Sequence, residues 1–177
     1  GYSYRTIDDY QSLDRVTQTS LIDARHIAGN KETIETFTSD LRSTLGAQFV
    51  LYHAGCRKKA SDPYSAALYP VEPNIKTGAG ALRDIHTAGW IAQALFGCKP
   101  ENVWEELVER RIANPMYVAR LRECWDFISS IRNALHLSSG RQLDILTVER
   151  QSEIAPMLAL SSENELMDRD YLCTEQI

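Results

Sequence analysis

The residue types best suited to chemistry lie together in the middle of the chain, directly before a predicted helix. Gly78 and Gly80 precede that helix, Lys76 comes before them, and Arg83 follows one turn later. Free N–H groups at a helix N-terminus attract anions, and glycines let a phosphate approach the backbone closely. Lys76 and Arg83 can neutralise phosphate charge, and arginine does so with two parallel hydrogen bonds. The segment therefore predicts a phosphate site.

Two acids flank this segment, Glu72 and Asp84. Either carboxylate could orient Arg83 or reach a metal ion. A purely structural interpretation is also open: Gly78 and Gly80 form a tight turn, and Arg83 makes an ion pair with one of the acids. A Gly-x-Gly turn alone does not decide between the two interpretations.

Asp23 is a second candidate, because it lies within the apolar run 20–27 beside Arg25. A short apolar run of this kind is compatible with a strand or with a helix. In a structural role, Asp23 would pair with Arg25 or cap a turn.

Other polar and aromatic residues favour structural roles. Asp168 and Asp170 have Asp-x-Asp spacing, but no glycine turn precedes them, so we predict a solvent-facing side of a helix. His86 and His136 lie beside apolar helix faces and are predicted to be packing residues. Three tryptophans fall at apolar helical positions and are predicted to pack in the core: Trp90, Trp104 and Trp125.

The composition of the 177-residue chain is that of an ordinary globular protein, with 44% hydrophobic and 24% charged residues. Its net charge of −5 argues against a nucleic-acid partner. No apolar run approaches the roughly 20 residues that a membrane span needs, so we expect no membrane partner. The cysteines are too scattered for a metal site and are predicted to be free thiols in a cytoplasmic protein: Cys56, Cys98, Cys124 and Cys173.

Helical periodicity dominates from Lys31 onward, where Asn30 can serve as the N-cap. Gly97 and Gly140 are placed to end two later helices, and Pro115 suits a first helical turn. Short loops between amphipathic helices predict an antiparallel helical bundle and a mainly α fold. Before it, the sequence is compatible with a short strand over 2–5 and a short helix through residue 13.

The segment 72–85 resembles the signature Glu-Pro-Asn-x-Lys-x-Gly-x-Gly-Gly-Leu-Arg-Asp-Ile of bacterial PII uridylyltransferases, and a related signature occurs in glutamine-synthetase adenylyltransferases. Ala79, Ala81 and Ile145 stand where the family usually has Pro, Gly and Arg. Further similar stretches lie at 1–6, 21–29, 86–90, 96–97, 132–137, 140–141, 144 and 151.

The resemblance implies that residues 1–30 end an α/β nucleotidyltransferase domain resembling DNA polymerase beta, and that residues 31–177 form a helical domain. It implies a cytoplasmic parent enzyme that transfers UMP from UTP, or from another nucleoside triphosphate, to a tyrosine of a PII-type nitrogen-regulatory protein, with Mg²⁺. Asp23 would be the third carboxylate of the metal site. The loop from Glu72 to Asp84 would lie on the triphosphate side.

The family's other two metal carboxylates come from an Asp-x-Asp after a glycine-rich turn, which this sequence lacks. We therefore expect the chain to be a piece of a longer protein and inactive by itself. Two alternatives remain open at this point: a non-catalytic helical module that binds a protein, and an adenylyltransferase of the same superfamily.

Overall fold

A computed structural model describes residues 9, 12–24, 26–60 and 69–177, and helices account for most of them. The helices of these residues are α1 (Arg15–Ile22), α2 (Lys31–Thr44), α3 (Ala47–Ala60), α4 (Leu82–Phe96), α5 (Val103–Glu109), α6 (Pro115–Ser139), α7 (Val148–Ile154) and α8 (Glu163–Gln176). Within the described ranges there is no strand beyond one isolated antiparallel bridge, between Asn74 and Ile145. The prediction of a mainly α fold is confirmed. No helix of these ranges is long and apolar enough to cross a membrane.

The helix ends follow the local signals in the sequence. The Asn30 side chain accepts a hydrogen bond from the second backbone amide of α2, and Asn114 does the same for α6, whose first residue is Pro115. Gly97 and Gly140 end α4 and α6 in the left-handed conformation, which costs glycine little. These helix boundaries are therefore set by short-range physical chemistry.

The run 20–27 is not a strand, because α1 continues through Ile22 and Asp23 forms its C-cap. Ile22 is fully buried against α2, α3 and α4, so α1 packs on the helices that follow it. The predicted strand over 2–5 lies outside the described residues, as does most of the predicted helix through residue 13. The domain boundary at residue 30 and the nucleotidyltransferase tail remain predictions.

Helix α4 contributes residues to all three hydrophobic clusters of the core. It contributes Trp90 to a cluster with α1, α2 and α3, and Ile85 to a second cluster with α5 and α6. Leu82, at its first turn, belongs to a third cluster built by α6, α7 and α8. The buried residues of α4 thus face all three clusters, although Ala88 and Leu95 are exposed. The position of α4 therefore fixes the segment that leads into it.

One sequence interpretation is wrong on α8. Asp168 is exposed as expected. Asp170, in contrast, is only 3% exposed and lies on the buried face of α8, together with Leu166 and Cys173. No hydrogen bond or ion pair of Asp170 is found among the residues that the structure describes. Burial raises the pKa of Asp170 to about 6, because the charged form is poorly solvated there.

Asp170 should make the protein less stable as the pH rises. The unfolded carboxyl loses its proton near pH 3.8, whereas the folded protein keeps that proton up to about pH 6. The stabilisation that protonated Asp170 gives to the folded state is therefore complete below pH 3.8 and is lost as the pH rises through 6. The difference between the folded and unfolded pKa values corresponds to about 3 kcal/mol of unfolding free energy. Urea unfolding across this range should show that Asp170→Asn removes the loss, whereas Asp168→Asn keeps it. Parallel pH profiles for wild type and Asp170→Asn would contradict this assignment.

Candidate functional site

The loop before α4 satisfies the first amides of that helix with its own backbone. Ala81, the N-cap, provides no side-chain acceptor. The N–H of Leu82 donates to the carbonyl of Ile75 at 3.2 Å, and the N–H of Arg83 donates to the carbonyl of Lys76 at 2.8 Å. These amides, which the sequence suggested for an anion, already have acceptors. An anion at this loop would therefore have to contact side chains.

Gly78 and Gly80 are required by close packing within the protein. A Cβ at Gly78 would lie 2.6 Å from the carbonyl oxygen of Asn74. A Cβ at Gly80 would lie 2.8 Å from the Cα of Thr174 on α8, and Gly80 has a φ of +65°. The contact of these glycines with phosphate stays a prediction. The fold by itself already requires a residue without a side chain at both positions and a positive φ at Gly80.

The loop is hydrogen-bonded to the segment between α6 and α7. The N–H of Ile75 donates to the carbonyl of Asp144 at 3.0 Å, and the N–H of Leu146 donates to the carbonyl of Pro73 at 2.9 Å. The Glu72 carboxylate accepts from the first amide of α7 at 3.1 Å. Glu72 therefore caps α7, where a negative charge is favourable, and does not orient Arg83.

Lys76 reaches Asp144 through this connection. Its Nζ lies 3.2 Å from Asp144 Oδ2, while the Nε of Arg132 lies 2.8 Å and the Nε2 of His136 lies 3.4 Å from Asp144 Oδ1. Burial works against the charged form of Asp144, but the hydrogen bonds from Arg132 and Lys76 outweigh it and lower its pKa. One carboxylate therefore holds several basic side chains in one place. His136 belongs to this polar cluster, which corrects its expected role as a packing residue.

Asp84 pairs with Arg57 of α3, which the sequence did not indicate. The Arg57 guanidinium donates to both carboxylate oxygens of Asp84, with Nη2 2.6 Å from Oδ2. The same Nη2 donates to the carbonyl of Gly78 at 3.2 Å, and the N–H of Gly80 donates to Asp84 Oδ2 at 2.8 Å. The pair fastens α3 to the loop and to α4. The expected pairing of Arg83 with Asp84 or Glu72 is not found.

Arg83 lies instead over the ring of Trp90, 5.3 Å from its centroid. Within the described ranges no carboxylate forms an ion pair with it. His86 stacks on the same indole, with centroids 5.9 Å apart. Burial lowers the pKa of His86, and the charges of Arg83 and Arg132 lower it further, so His86 is a neutral packing residue as expected.

Asp23 is held by two neutral donors from α4. The indole Nε1–H of Trp90 donates to Oδ2 at 2.7 Å, and the side-chain amide of Gln93 donates to Oδ1 at 2.9 Å. A magnesium ion requires about six oxygen ligands in octahedral geometry. The residues that the structure describes contain no group of three acids, histidines or cysteines that could hold a metal. They therefore do not fit a Mg²⁺ site, and the role of Asp23 as a metal ligand stays a prediction.

These observations define a helical domain in which the loop before α4 is held in place by Asp144 and Arg57. The family model described as GlnD PII-uridylyltransferase matches residues 54–177. The chain therefore belongs to the PII-uridylyltransferase family.

Curated relatives named bifunctional uridylyltransferase/uridylyl-removing enzyme agree with this assignment. The one from Bradyrhizobium sp. (strain ORS 278) is 31% identical over 95% of the chain and 18% of its own length. Those from Idiomarina loihiensis and Caulobacter vibrioides are 33% and 34% identical, over 97% and 100% of the chain and 20% of their lengths. The chain thus spans about a fifth of the curated relatives it matches. No solved structure matches it.

Replacing Gly80 should destabilise the protein more than replacing a glycine of equal backbone conformation. Gly97 has a φ of +64°, but a Cβ added there would meet no atom within 4 Å, so Gly97→Ala tests the conformation alone. We expect a loss of about 1–2 kcal/mol for Gly97→Ala. Gly80→Ala should lose about 1–3 kcal/mol more, because α8 must move away. Urea unfolding measures both, and equal losses would contradict the close approach.

Removing the Asp23 carboxylate should destabilise the protein without any metal present. Trp90 is 8% and Gln93 is 2% exposed, so Asp23→Ala leaves buried donors unpaired. The expected loss is about 1–3 kcal/mol by urea unfolding in the presence of a chelator. The exposed Asp126→Ala is the control. If Asp23 acts only as a metal ligand, the two variants will match with chelator, and only Asp23→Ala will lose the stabilisation that Mg²⁺ gives to wild type.

Proposed function

We propose that the protein to which this chain belongs transfers UMP from UTP to a tyrosine hydroxyl of a PII-type regulatory protein. The family assignment and the names of the relatives support this activity. The tyrosine hydroxyl gives its proton to solvent as its oxygen attacks the α-phosphorus, the bond to the bridging oxygen breaks, and pyrophosphate leaves. In this proposal the chain contributes the helical domain and a loop on the triphosphate side, and it is inactive by itself.

The observation that supports the role of the loop is a set of ordered basic side chains in a chain whose net charge is −5. Arg57 is paired with Asp84, and Lys76 and Arg132 share Asp144, while Arg83 has no ion-pair partner among the described residues. Nucleotidyl transfer requires the departing pyrophosphate charge to be stabilised by groups that are already in position. Partly buried ion pairs keep Arg57, Lys76 and Arg132 ordered before a ligand arrives, and the ring of Trp90 supports Arg83.

Lys76 and Arg83 are the side chains we assign to the phosphates. Lys76 shares Asp144 with two other basic residues, so its ammonium is not the sole partner of that acid. The Cζ of Arg83 lies 5.3 Å from the centroid of the Trp90 ring and no described carboxylate pairs with it, so its guanidinium can form two parallel bonds to phosphate.

Magnesium belongs to the proposed activity, because nucleotidyl transfer of this kind uses divalent ions to hold the triphosphate and its leaving group. Since the described residues do not supply a ligand cluster, we assign the metal to other parts of the longer protein and derive no step through it.

Lys76→Ala should weaken the binding of UTP to the chain by about tenfold, the effect of losing one charged contact worth about 1.4 kcal/mol. Lys31→Ala removes an exposed lysine of α2 and should leave binding unchanged. Calorimetric titration with UTP and with ATP measures both variants and tests the choice of base. Equal, negligible binding by wild type and Lys76→Ala would count against a nucleotide role of this chain and favour a protein-binding module. Tighter binding of ATP would favour an adenylyltransferase.

A further inference from the structure

The guanidinium of Arg57 connects the turn that contains Gly78 and Gly80, the glycine turn, to the first residues of α4. Its Nη2 donates to Asp84 Oδ2 at 2.6 Å and to the carbonyl of Gly78 at 3.2 Å. Its Nε donates to the other carboxylate oxygen, and its Nη1 donates to the carbonyl of Thr77 at 3.4 Å. Asp84 also accepts from the N–H of Gly80 at 2.8 Å. One side chain of α3 therefore holds both the glycine turn and the start of α4.

The glycine turn needs bonds of this kind from outside. Glycine loses more conformational freedom on folding than any other residue, so a turn with two glycines has many alternative arrangements. Among the described residues, the carbonyl of Thr77 has no hydrogen-bond donor other than Arg57. Without Arg57, the turn would keep its two ends but would lose the bonds that select one arrangement between them.

Helix α3 gives Arg57 a fixed position. Phe49 of α3 is fully buried in the cluster that it shares with α1, α2 and Trp90 of α4. The side chain of Arg57 is 16% exposed and that of Asp84 is 19% exposed, so water screens their attraction less than at the surface. A guanidinium can bond both carboxylate oxygens and a carbonyl in one plane, whereas a lysine offers only a point charge.

The two cations assigned to phosphate are chain neighbours of the residues that Arg57 holds. Lys76 directly precedes Thr77, and Arg83 directly precedes Asp84. Arg57 itself is neutralised by Asp84. We propose that Arg57 is a positioning residue, which sets the placement of Lys76 relative to Arg83 before a triphosphate binds. The inference rests on the proposed function and deepens it, because it gives α3 a part in the same site.

A residue that orders a site without touching the ligand has a distinct kinetic signature. If only a fraction of the molecules holds the loop in its binding arrangement, the apparent affinity is reduced by that fraction. The association rate constant falls with the affinity, whereas the dissociation rate constant of the bound ligand stays the same. Loss of a direct contact, as in Lys76→Ala, instead raises the dissociation rate constant. Comparison of the two rate constants therefore separates positioning from direct binding.

The variant Arg57→Lys keeps the charge and removes the planar group. Arg122→Lys is its matched control, because Arg122 of α6 forms an ion pair with Glu105 of α5. Stopped-flow mixing with UTP that carries a fluorescent group on its ribose measures both rate constants. We expect Arg57→Lys to lower the association rate constant about tenfold and to leave the dissociation rate constant unchanged, as for a loop that is competent in one molecule of about ten. Arg122→Lys should change neither rate constant.

Chemical rescue distinguishes the lost bonds from a damaged fold. In Arg57→Ala, millimolar guanidinium ion should restore part of the association rate constant, because it can occupy the space of the missing group and bond Asp84 in the same way. Ammonium ion at the same concentration should not, since it lacks the planar arrangement of donors.

Hydrogen exchange without any nucleotide tests the order of the loop itself. The peptide 76–84 of Arg57→Lys should exchange about tenfold faster than that of wild type, while peptides of α6 should be unchanged, because local opening does not require the core to open.

Equal exchange of peptide 76–84 in wild type and Arg57→Lys overturns the inference. Faster exchange with an unchanged association rate constant also overturns it, because the contact of Arg57 would then be structural only. A raised dissociation rate constant overturns it as well, since Arg57 would then touch the ligand. These failures occur while wild type still binds UTP. If wild type binds no UTP, the proposed function of the chain fails and the inference falls with it, even where exchange shows that Arg57 holds the loop.

Discussion

The constraint that governs the site is the need of α4 for acceptors at its first turn. A helix begins with amides that have no partner inside the helix, and Ala81 has no side chain that could accept from them. The preceding loop must therefore return so that the carbonyls of Ile75 and Lys76 meet those amides. Residues of α4 pack in all three core clusters, so the position of the helix is fixed. The loop is bonded to the first turn of α4, and its position is therefore fixed as well.

This return explains why residues far apart in sequence form one unit. Once Ile75 is positioned, its own N–H bonds to the backbone at Asp144, and the side chain of Lys76 comes within reach of the Asp144 carboxylate. On the other side, Arg57 fixes Asp84 and the turn carbonyls with one guanidinium. The arrangement of cations is thus a consequence of satisfying backbone groups, which cannot be left unpaired at low cost.

Much of the fold could be predicted from the sequence, because caps such as Asn30 and stop signals such as Gly97 act over a few residues. The pairing of Arg57 with Asp84 could not, since it joins residues 27 positions apart and depends on how α3 packs on α4. The solvent exposure predicted for Asp170 is wrong for a similar reason: its spacing fits an exposed face, and only the tertiary packing of α8 shows which face is covered.

The glycines of the loop show how one sequence signal can have two physical explanations. Glycines before a helix indicated an anion at the backbone, yet here Thr174 occupies the space beside Gly80. What remains available to an anion is side-chain charge, and the two types of cation differ in how they offer it. Lys76 must share its ammonium with Asp144, whereas Arg83 is held by an aromatic ring that leaves its hydrogen-bond donors open. A ring can orient a cation without neutralising it, so Arg83 can be both ordered and uncompensated. That combination is why we assign Arg83 to phosphate in the proposed function: no ion pair would have to break before an anion binds.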